Sequence, residues 1–139
     1  MSDDPFCLRR FVEAQEQIYP HTLAEIRAGA ERSHWMWFIF PQNLGLGRSP
    51  MATRFGIRSI AEAQAYLEHP VLGARLRECV AALAAVPVAD PVAVFGSIDA
   101  MKLRSSLTLF EKAGGGPLFR DALDRWYDGK RDPVVLTLM

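Results

Sequence analysis

The chain has 139 residues, half of them hydrophobic and 23% charged, a composition typical of one globular domain over residues 1–139 and not of a disordered segment. Sixteen basic residues balance sixteen acidic ones, so general nucleic-acid binding through phosphate neutralisation is not expected. The acidic N-terminus lacks the basic and then apolar order of a signal peptide, and no apolar run reaches membrane-spanning length. We therefore expect a cytoplasmic protein without a membrane-spanning segment.

The N-terminal part of the chain carries two helix signals. Asp3 or Asp4, followed by a proline, predicts a first helix, because a carboxylate caps free N–H groups there and proline needs no partner. Thr22 and Glu25 have the spacing of a capping box, which predicts a second helix that Gly29 ends.

The segment from residue 34 to residue 42, here called the aromatic segment, is the most costly part of the chain to leave in water. Its sequence is HWMWFIFPQ, and each large aromatic side chain offers roughly 150–250 Å² for burial. Only Ile39 in it is β-branched, so we predict a short buried helix that begins after Ser33. Its polar ends, His34 and Gln42, must find partners or face a cavity, because an unpaired buried polar group costs roughly 1–3 kcal/mol.

A first candidate binding site follows from this segment. The faces of Trp35 and Trp37 suit stacking against a planar ligand, and His34 and Gln42 carry hydrogen-bonding groups for its polar edge. The alternative is a packed aromatic core without a ligand.

The stretch after the aromatic segment, residues 42–58, is rich in glycine, serine and proline and predicts a long irregular connection. Gly45, Gly47, Arg48 and Ser49 lie within it, and their N–H groups and guanidinium suit a phosphate. The stretch lacks the full spacing of a P-loop or a dinucleotide-binding motif, so a plain surface loop is the alternative.

Four further helices are predicted in the rest of the chain. They run from a capping box at Ser59 and Glu62 to about Glu68, from Pro70 to Pro87, from Gly96 to the glycines at 114–116, and from Pro117 to Gly129. Residues 132–139 are largely apolar and are expected to dock on the core. The sequence thus predicts an all-α, compact single-domain bundle of about seven short helices around an aromatic core.

The helix that follows Gly96 provides a second candidate site. Asp99, Lys102, Ser105 and Ser106 lie about one turn apart, so one helix face collects a carboxylate, an ammonium group and hydroxyls. This face suits an anion. The alternative is a solvated face with an ordinary ion pair between Asp99 and Lys102.

A carboxylate for catalysis is available at Glu62, one turn before Tyr66. A carboxylate beside aromatic rings suits general acid–base chemistry, although its place in a capping box also accounts for Glu62. Neither the three histidines nor the two cysteines have metal-ligand spacing, so we predict no metal site and no cofactor.

Five stretches form a pattern that points to a family: His34 to Gln42, Leu44 to Gly47, Tyr66 to Gly73, Phe95 to Asp99 and Lys102 to Phe110. Together they resemble the domain-of-unknown-function family 1810, small bacterial proteins that are sometimes mislabelled calpastatin. The resemblance runs from the region of Arg10 to Leu138. It implies an all-helical, single-domain fold and no particular activity.

A fainter similarity involves residues 59–64, which resemble the start of the central helix of NADAR-type N-glycosidases. These enzymes are related to ADP-ribose chemistry, and the resemblance implies a catalytic role for Glu62. Ala63 stands where that group typically has histidine.

Three hypotheses of function follow. The first is that the protein binds a small nucleotide-like or phosphate-bearing ligand. This ligand would stack on the aromatic segment and be held by Lys102, Ser105, Ser106 and the glycine-rich stretch. The second is a NADAR-like N-glycosidase that acts on an ADP-ribose-related substrate, in which Glu62 or Asp99 assists cleavage. The third is a non-catalytic protein-interaction module. The sequence leaves the oligomeric state open.

Overall fold

The computed structural model describes residues 4–46 and 48–139, and this part of the chain contains nine α-helices. The first four are α1 (Arg9–Gln15), α2 (Tyr19–Ala28), α3 (Met36–Ile39) and α4 (Pro50–Phe55). The other five are α5 (Ile60–Glu68), α6 (Leu72–Ala85), α7 (Pro91–Phe110), α8 (Pro117–Tyr127) and α9 (Pro133–Leu138). The described residues form no strand, which confirms the all-α class. Among the described helices, none has the length and apolar character needed to cross a membrane.

The sequence predicted about seven helices, and the two it missed are α4 and α9. Helix α4 lies in the predicted irregular connection, and Ser49 caps it by accepting a hydrogen bond from the Ala52 N–H at 3.1 Å. Helix α9 lies in the apolar tail, where Asp132 accepts a hydrogen bond from the Val134 N–H at 2.9 Å. Both are six-residue helices that begin with a cap followed by proline, a signal that suffices for one or two turns.

The first helix begins later than predicted. The Asp4 carboxylate accepts hydrogen bonds from the Leu8 and Arg9 N–H groups at 2.7 and 3.0 Å, while Asp3 lies outside the described residues. Because α1 starts only at Arg9, the proline after Asp4 lies in a turn before the helix.

The capping box predicted at Thr22 is wrong, because α2 already begins at Tyr19 and Thr22 is buried inside it. The left-handed backbone of Gly29, with a φ of 69°, ends the helix as predicted. Glu25 instead accepts hydrogen bonds from two loop N–H groups, a serine hydroxyl and the indole N–H of Trp35. This carboxylate therefore fixes the loop that leads into the aromatic segment.

The aromatic segment forms the short helix α3, as predicted, but Trp35 and not Ser33 occupies the position before it. Trp35 and Phe40 are fully buried, and the Trp35 ring meets the Phe95 ring of α7 edge to face with centroids 6.2 Å apart. The segment therefore joins the central core, in line with the predicted aromatic core.

Residues 42–57 fold back so that Gln42 is held by the backbone. The Ile57 N–H donates to the Gln42 carbonyl at 2.9 Å, and the Leu44 N–H donates to the Ile57 carbonyl at 2.8 Å. A side chain at Gly56 would overlap the Leu44 backbone, so this close approach needs glycine. The end of the aromatic segment is thus anchored beside the turn that follows it.

Helix α7 bends at Gly96, which has φ and ψ of 80° and 162°, and its longer part follows this bend as predicted. Helix α6 begins at Leu72, two residues later than expected from Pro70. After α7 a π-turn over Glu111–Gly115 leads to α8, which packs along α7. Helix α9 also packs against α7, and these contacts shape the site described below.

Candidate functional site

A pocket of about 480 Å³ opens between the aromatic segment, the part of α7 after its bend, and the start of α9. Four residues predicted to bind a ligand line it: Trp37, Gln42, Lys102 and Ser105. The fold therefore brings together two regions that the sequence singled out separately.

Lys102 is held on one wall of this pocket by two contacts. Its Nζ lies 3.5 Å from the centroid of the Trp37 ring and 3.3 Å from Oδ1 of Asp99. The carboxyl group of Asp99 also interacts with that of Glu31, whose pKa is raised by burial and by this neighbouring carboxyl group. The ion pair with Asp99 thus positions Lys102, while the ammonium group covers one face of the indole.

Ser105 and Asp132 link α7 to α9 in the wall of the pocket. The Ser105 Oγ contacts the Asp132 carboxylate and the Met101 carbonyl, and the Asp132 N–H donates to Oγ1 of Thr108 at 3.0 Å. The other carboxylate oxygen of Asp132 caps α9 through the Val134 N–H. Because these polar groups satisfy one another, they mainly build the wall.

Two polar side chains of the pocket have unused hydrogen-bonding capacity. The Nε of Arg104 is buried without an acceptor, and its guanidinium forms no hydrogen bond or ion pair with any described residue. The Gln42 side chain, 8% exposed, likewise has no hydrogen-bond partner within the described part of the chain. Arg104 is therefore a cation without an ion-pair partner among the described residues at the pocket wall, and Gln42 is an amide without a side-chain hydrogen bond there.

The rest of the lining is apolar and unusually exposed. Ile98 is 69% exposed, Met101 65% and Val134 49%, and Leu46 and Pro133 complete this side of the pocket. Contiguous exposed apolar side chains around a polar site are typical of binding surfaces. We call Leu46, Ile98, Met101 and Val134 the apolar rim.

The other residues predicted from the aromatic segment and from α7 lie outside this pocket. His34 is exposed and lines none of the described cavities. Trp35 is a core residue whose indole N–H donates to Oε1 of Glu25 at 3.0 Å. Ser106 is 1% exposed and faces the core, where its hydroxyl has no hydrogen-bond partner among the described residues.

The glycine-rich stretch is also separate from the pocket. Gly45 lines a smaller cavity beside Met139, Arg48 is exposed, and Ser49 serves as the cap of α4. Gly47 lies outside the described residues. The described residues of this stretch therefore do not join Lys102 in the pocket, and the pocket does not support their predicted phosphate-binding role.

Glu62 lies on the wall of a second cavity of about 590 Å³, together with Arg54, Arg58 and Ser59. Ser59 caps α5 as predicted, accepting a hydrogen bond from the Glu62 N–H at 3.1 Å. The Glu62 carboxylate, 2% exposed, accepts from the Arg58 N–H at 3.1 Å and pairs with Arg10 at 2.8 Å. The two predicted catalytic residues, Glu62 and Asp99, therefore do not share a pocket.

Arg10 forms the centre of this second region. Its guanidinium donates five hydrogen bonds, to the carbonyls of Phe6, Cys7, Arg54 and Gly56 and to the Glu62 carboxylate. A guanidinium has five N–H groups, so none is left for a ligand. Arg10 joins the N-terminal turn, the end of α4 and the start of α5.

The sequence did not single out Arg104 or Asp132 as site residues. Arg104 lies between Lys102 and Ser105 in the sequence, but helical spacing places it on another side of α7, and only the packing of α9 makes it part of the wall. For Asp132 a signal was present, since an aspartate before a proline is typical of a helix start.

Comparison with known proteins gives a family and a fold. Residues 5–139 match the family described as protein of unknown function (DUF1810). The crystal structure of the conserved hypothetical protein Rv1873 from Mycobacterium tuberculosis, determined at 1.38 Å, is similar with a TM-score of 0.95. The two chains are 47% identical over 98% of each. No protein of curated function matches. On this evidence of sequence and fold, the chain belongs to the DUF1810 family of proteins of unknown function.

Proposed function

We propose that the protein binds a small phosphate-bearing ligand in the pocket between the aromatic segment, α7 and α9. The observation that carries this proposal is Arg104, a cation at the pocket wall whose buried Nε has no acceptor among the described residues. Leaving such a donor unpaired costs roughly 1–3 kcal/mol, and an anion would remove this cost. The planar guanidinium matches two oxygens of a phosphate or carboxylate.

Two neighbouring groups complete the proposed anion site. The Gln42 amide has no other hydrogen-bond partner in the described chain and is able to donate to a ligand oxygen. Lys102 adds positive charge to the same pocket, although part of it is balanced by Asp99 at 3.3 Å. The buried carboxylate of Asp132 would repel an anion, which favours binding on the side of Arg104 and Gln42.

The N-glycosidase alternative depends on one observation, the location of Glu62 on the wall of the second cavity beside Arg54 and Arg58. In this hypothesis the two arginines hold the phosphates of an ADP-ribose-related substrate, and Glu62 assists cleavage. Its carboxylate is already engaged by Arg10 and by the Arg58 N–H. The alternative therefore requires Glu62 to act while it remains in an ion pair.

Calorimetric titration with inorganic phosphate, AMP and ADP-ribose tests the proposal. We expect binding to the native chain and a roughly 10- to 100-fold loss of affinity in Arg104→Gln, because a hydrogen bond to a charged group contributes about 1.5–3 kcal/mol. The matched control is Arg54→Gln, an exposed arginine of the second cavity, which should leave the affinity unchanged.

Two outcomes contradict the proposal. Loss of binding in Arg54→Gln with full binding in Arg104→Gln would move the ligand to the second cavity. Absence of binding by all three compounds would reject a phosphate-bearing ligand. Release of a base or of ADP-ribose from a substrate analogue, abolished in Glu62→Gln, would favour the enzyme alternative.

A further inference from the structure

We infer that the ligand is an amphipathic anion, with its charged head at Arg104 and Gln42 and an aliphatic chain along the apolar rim. This inference depends on the proposed anion site and adds the chemical class of the remaining part of the ligand. It commits to a free small molecule such as an alkyl phosphate or a fatty-acid-like carboxylate.

The first argument is the concentration of exposed apolar surface at this pocket. Ile98, Met101 and Val134 are 69%, 65% and 49% exposed, although each belongs to a helix that packs on the core with its other face. Water contact of this extent is unfavourable in proportion to the apolar area, and an aliphatic chain would cover it. Methionine suits such contacts because its flexible, polarisable side chain adapts to the ligand.

The second argument is the linear arrangement along α7. Ile98, Met101 and Arg104 follow one another at intervals of three residues after the bend of the helix. This spacing places them along one slanted ridge that rises about 9 Å and winds partly around the helix, apolar at its start and cationic at its end. A molecule with a charged head and an extended apolar tail has the same order of groups.

The third argument concerns the aromatic ring at the pocket. Trp37 is the only aromatic residue among those that line it within the described chain, and the Lys102 ammonium lies over its ring at 3.5 Å. Ser105 and Asp132 bond to each other, so few polar groups remain to recognise the edge of a nucleobase. Aliphatic contact requires neither a free aromatic face nor directional hydrogen bonds.

A series of phosphates with the same head group tests the inference. Inorganic phosphate, butyl phosphate and octyl phosphate, each below its critical micelle concentration, are titrated into the native chain, with AMP as the planar comparison. Burial of one methylene improves affinity at most about fourfold. We expect octyl phosphate to bind at least tenfold more tightly than butyl phosphate and more tightly than AMP.

Variants of the apolar rim test where the alkyl chain of the ligand binds. Met101→Gln and Ile98→Gln should weaken octyl phosphate binding at least threefold each and leave inorganic phosphate binding unchanged. Val92→Gln is the matched control, because Val92 is 56% exposed on the same helix but does not line the pocket. Equal weakening by Val92→Gln would indicate unspecific adsorption and would reject the inference.

The remaining outcomes separate this inference from the proposed function. Binding of inorganic phosphate that depends on Arg104 but gains nothing from the alkyl chain, or tighter binding of AMP, overturns the amphipathic ligand and retains the anion site. Absence of binding by every compound overturns both. Sedimentation that shows a dimer abolished by Met101→Gln would identify the rim as a subunit contact and would also overturn the inference.

Discussion

Replacement of Arg10 by methionine tests how strongly the second region depends on one side chain. Arg10 donates to four backbone carbonyls at 2.6–3.1 Å and pairs with Glu62 at 2.8 Å. Methionine has a similar length and keeps the apolar part of the side chain, so Arg10→Met removes mainly the guanidinium and its hydrogen bonds.

The expected loss follows from burial. The side chains of Arg10 and Glu62 are 16% and 2% exposed, so Arg10→Met leaves the Glu62 carboxylate buried with only the Arg58 N–H as a donor. Removing one partner of a buried ion pair costs about 3–5 kcal/mol. Since a domain has about 5–15 kcal/mol of stability in total, Arg10→Met should unfold at a much lower urea concentration.

Urea unfolding of Arg10→Met, Glu62→Gln and the double variant measures this coupling. Glu62→Gln should cost less than Arg10→Met, because the Arg10 guanidinium keeps its four carbonyl acceptors. The double variant should be more stable than the sum of the single losses predicts, since neither partner is then left charged and unpaired. A loss below about 1 kcal/mol in Arg10→Met, with additive single losses, would refute a desolvated ion pair.

Three further variants test the polar groups around the candidate site. Burial raises the pKa of Glu25, but its hydrogen bonds outweigh this effect and leave the pKa below its usual value. Glu25→Gln should therefore destabilise the protein by about 1 kcal/mol at neutral pH. Measured by urea unfolding, this difference should shrink as the pH falls through the lowered pKa. Burial and the neighbouring Asp99 raise the pKa of Glu31. The native chain should therefore lose stability relative to Glu31→Gln as the pH rises above the usual pKa range of glutamate. A stability difference that stays constant as the pH rises would contradict this. Arg104→Met without ligand should be as stable as the native chain or up to about 1 kcal/mol more stable by the same assay, and a loss of several kcal/mol would show that Arg104 is paired.

The helical class was predictable because its signals are local. A serine or aspartate cap before the first turn, a glycine with positive φ after the last, and proline at the first helical position each act within a few residues. Ser59 and Gly29 behave as their neighbours predict. Glu25 does not, because α2 already begins at Tyr19 and the carboxylate instead accepts from three donors of the following loop and from the indole N–H of Trp35. Tertiary contacts of this kind have no counterpart in local spacing.

The candidate site was predictable only in part, for a related reason. Trp37, Gln42, Lys102 and Ser105 stood out by residue type and spacing, and they do line one pocket. Trp35 has the same chemistry as Trp37 and is two residues away, yet it is fully buried and serves the core. Which ring of a continuous aromatic run reaches a cavity depends on how the segment is rotated against its neighbours, and this is decided by contacts distant in sequence.

The contrast between Arg10 and Arg104 indicates which of the two cavities is better suited to an anionic ligand. Both arginines belong to helices and both lie on the walls of cavities. All five N–H groups of Arg10 have acceptors within the chain, so its region is complete without a further molecule. The guanidinium of Arg104 has no acceptor among the described residues and lies at the edge of the apolar rim. The fold thus satisfies one arginine completely and leaves the Nε of the other without an acceptor beside exposed apolar side chains. An anion at Arg104 would offset the cost of this unpaired donor, and for this reason we propose the pocket of the aromatic segment and not the second cavity as the ligand site.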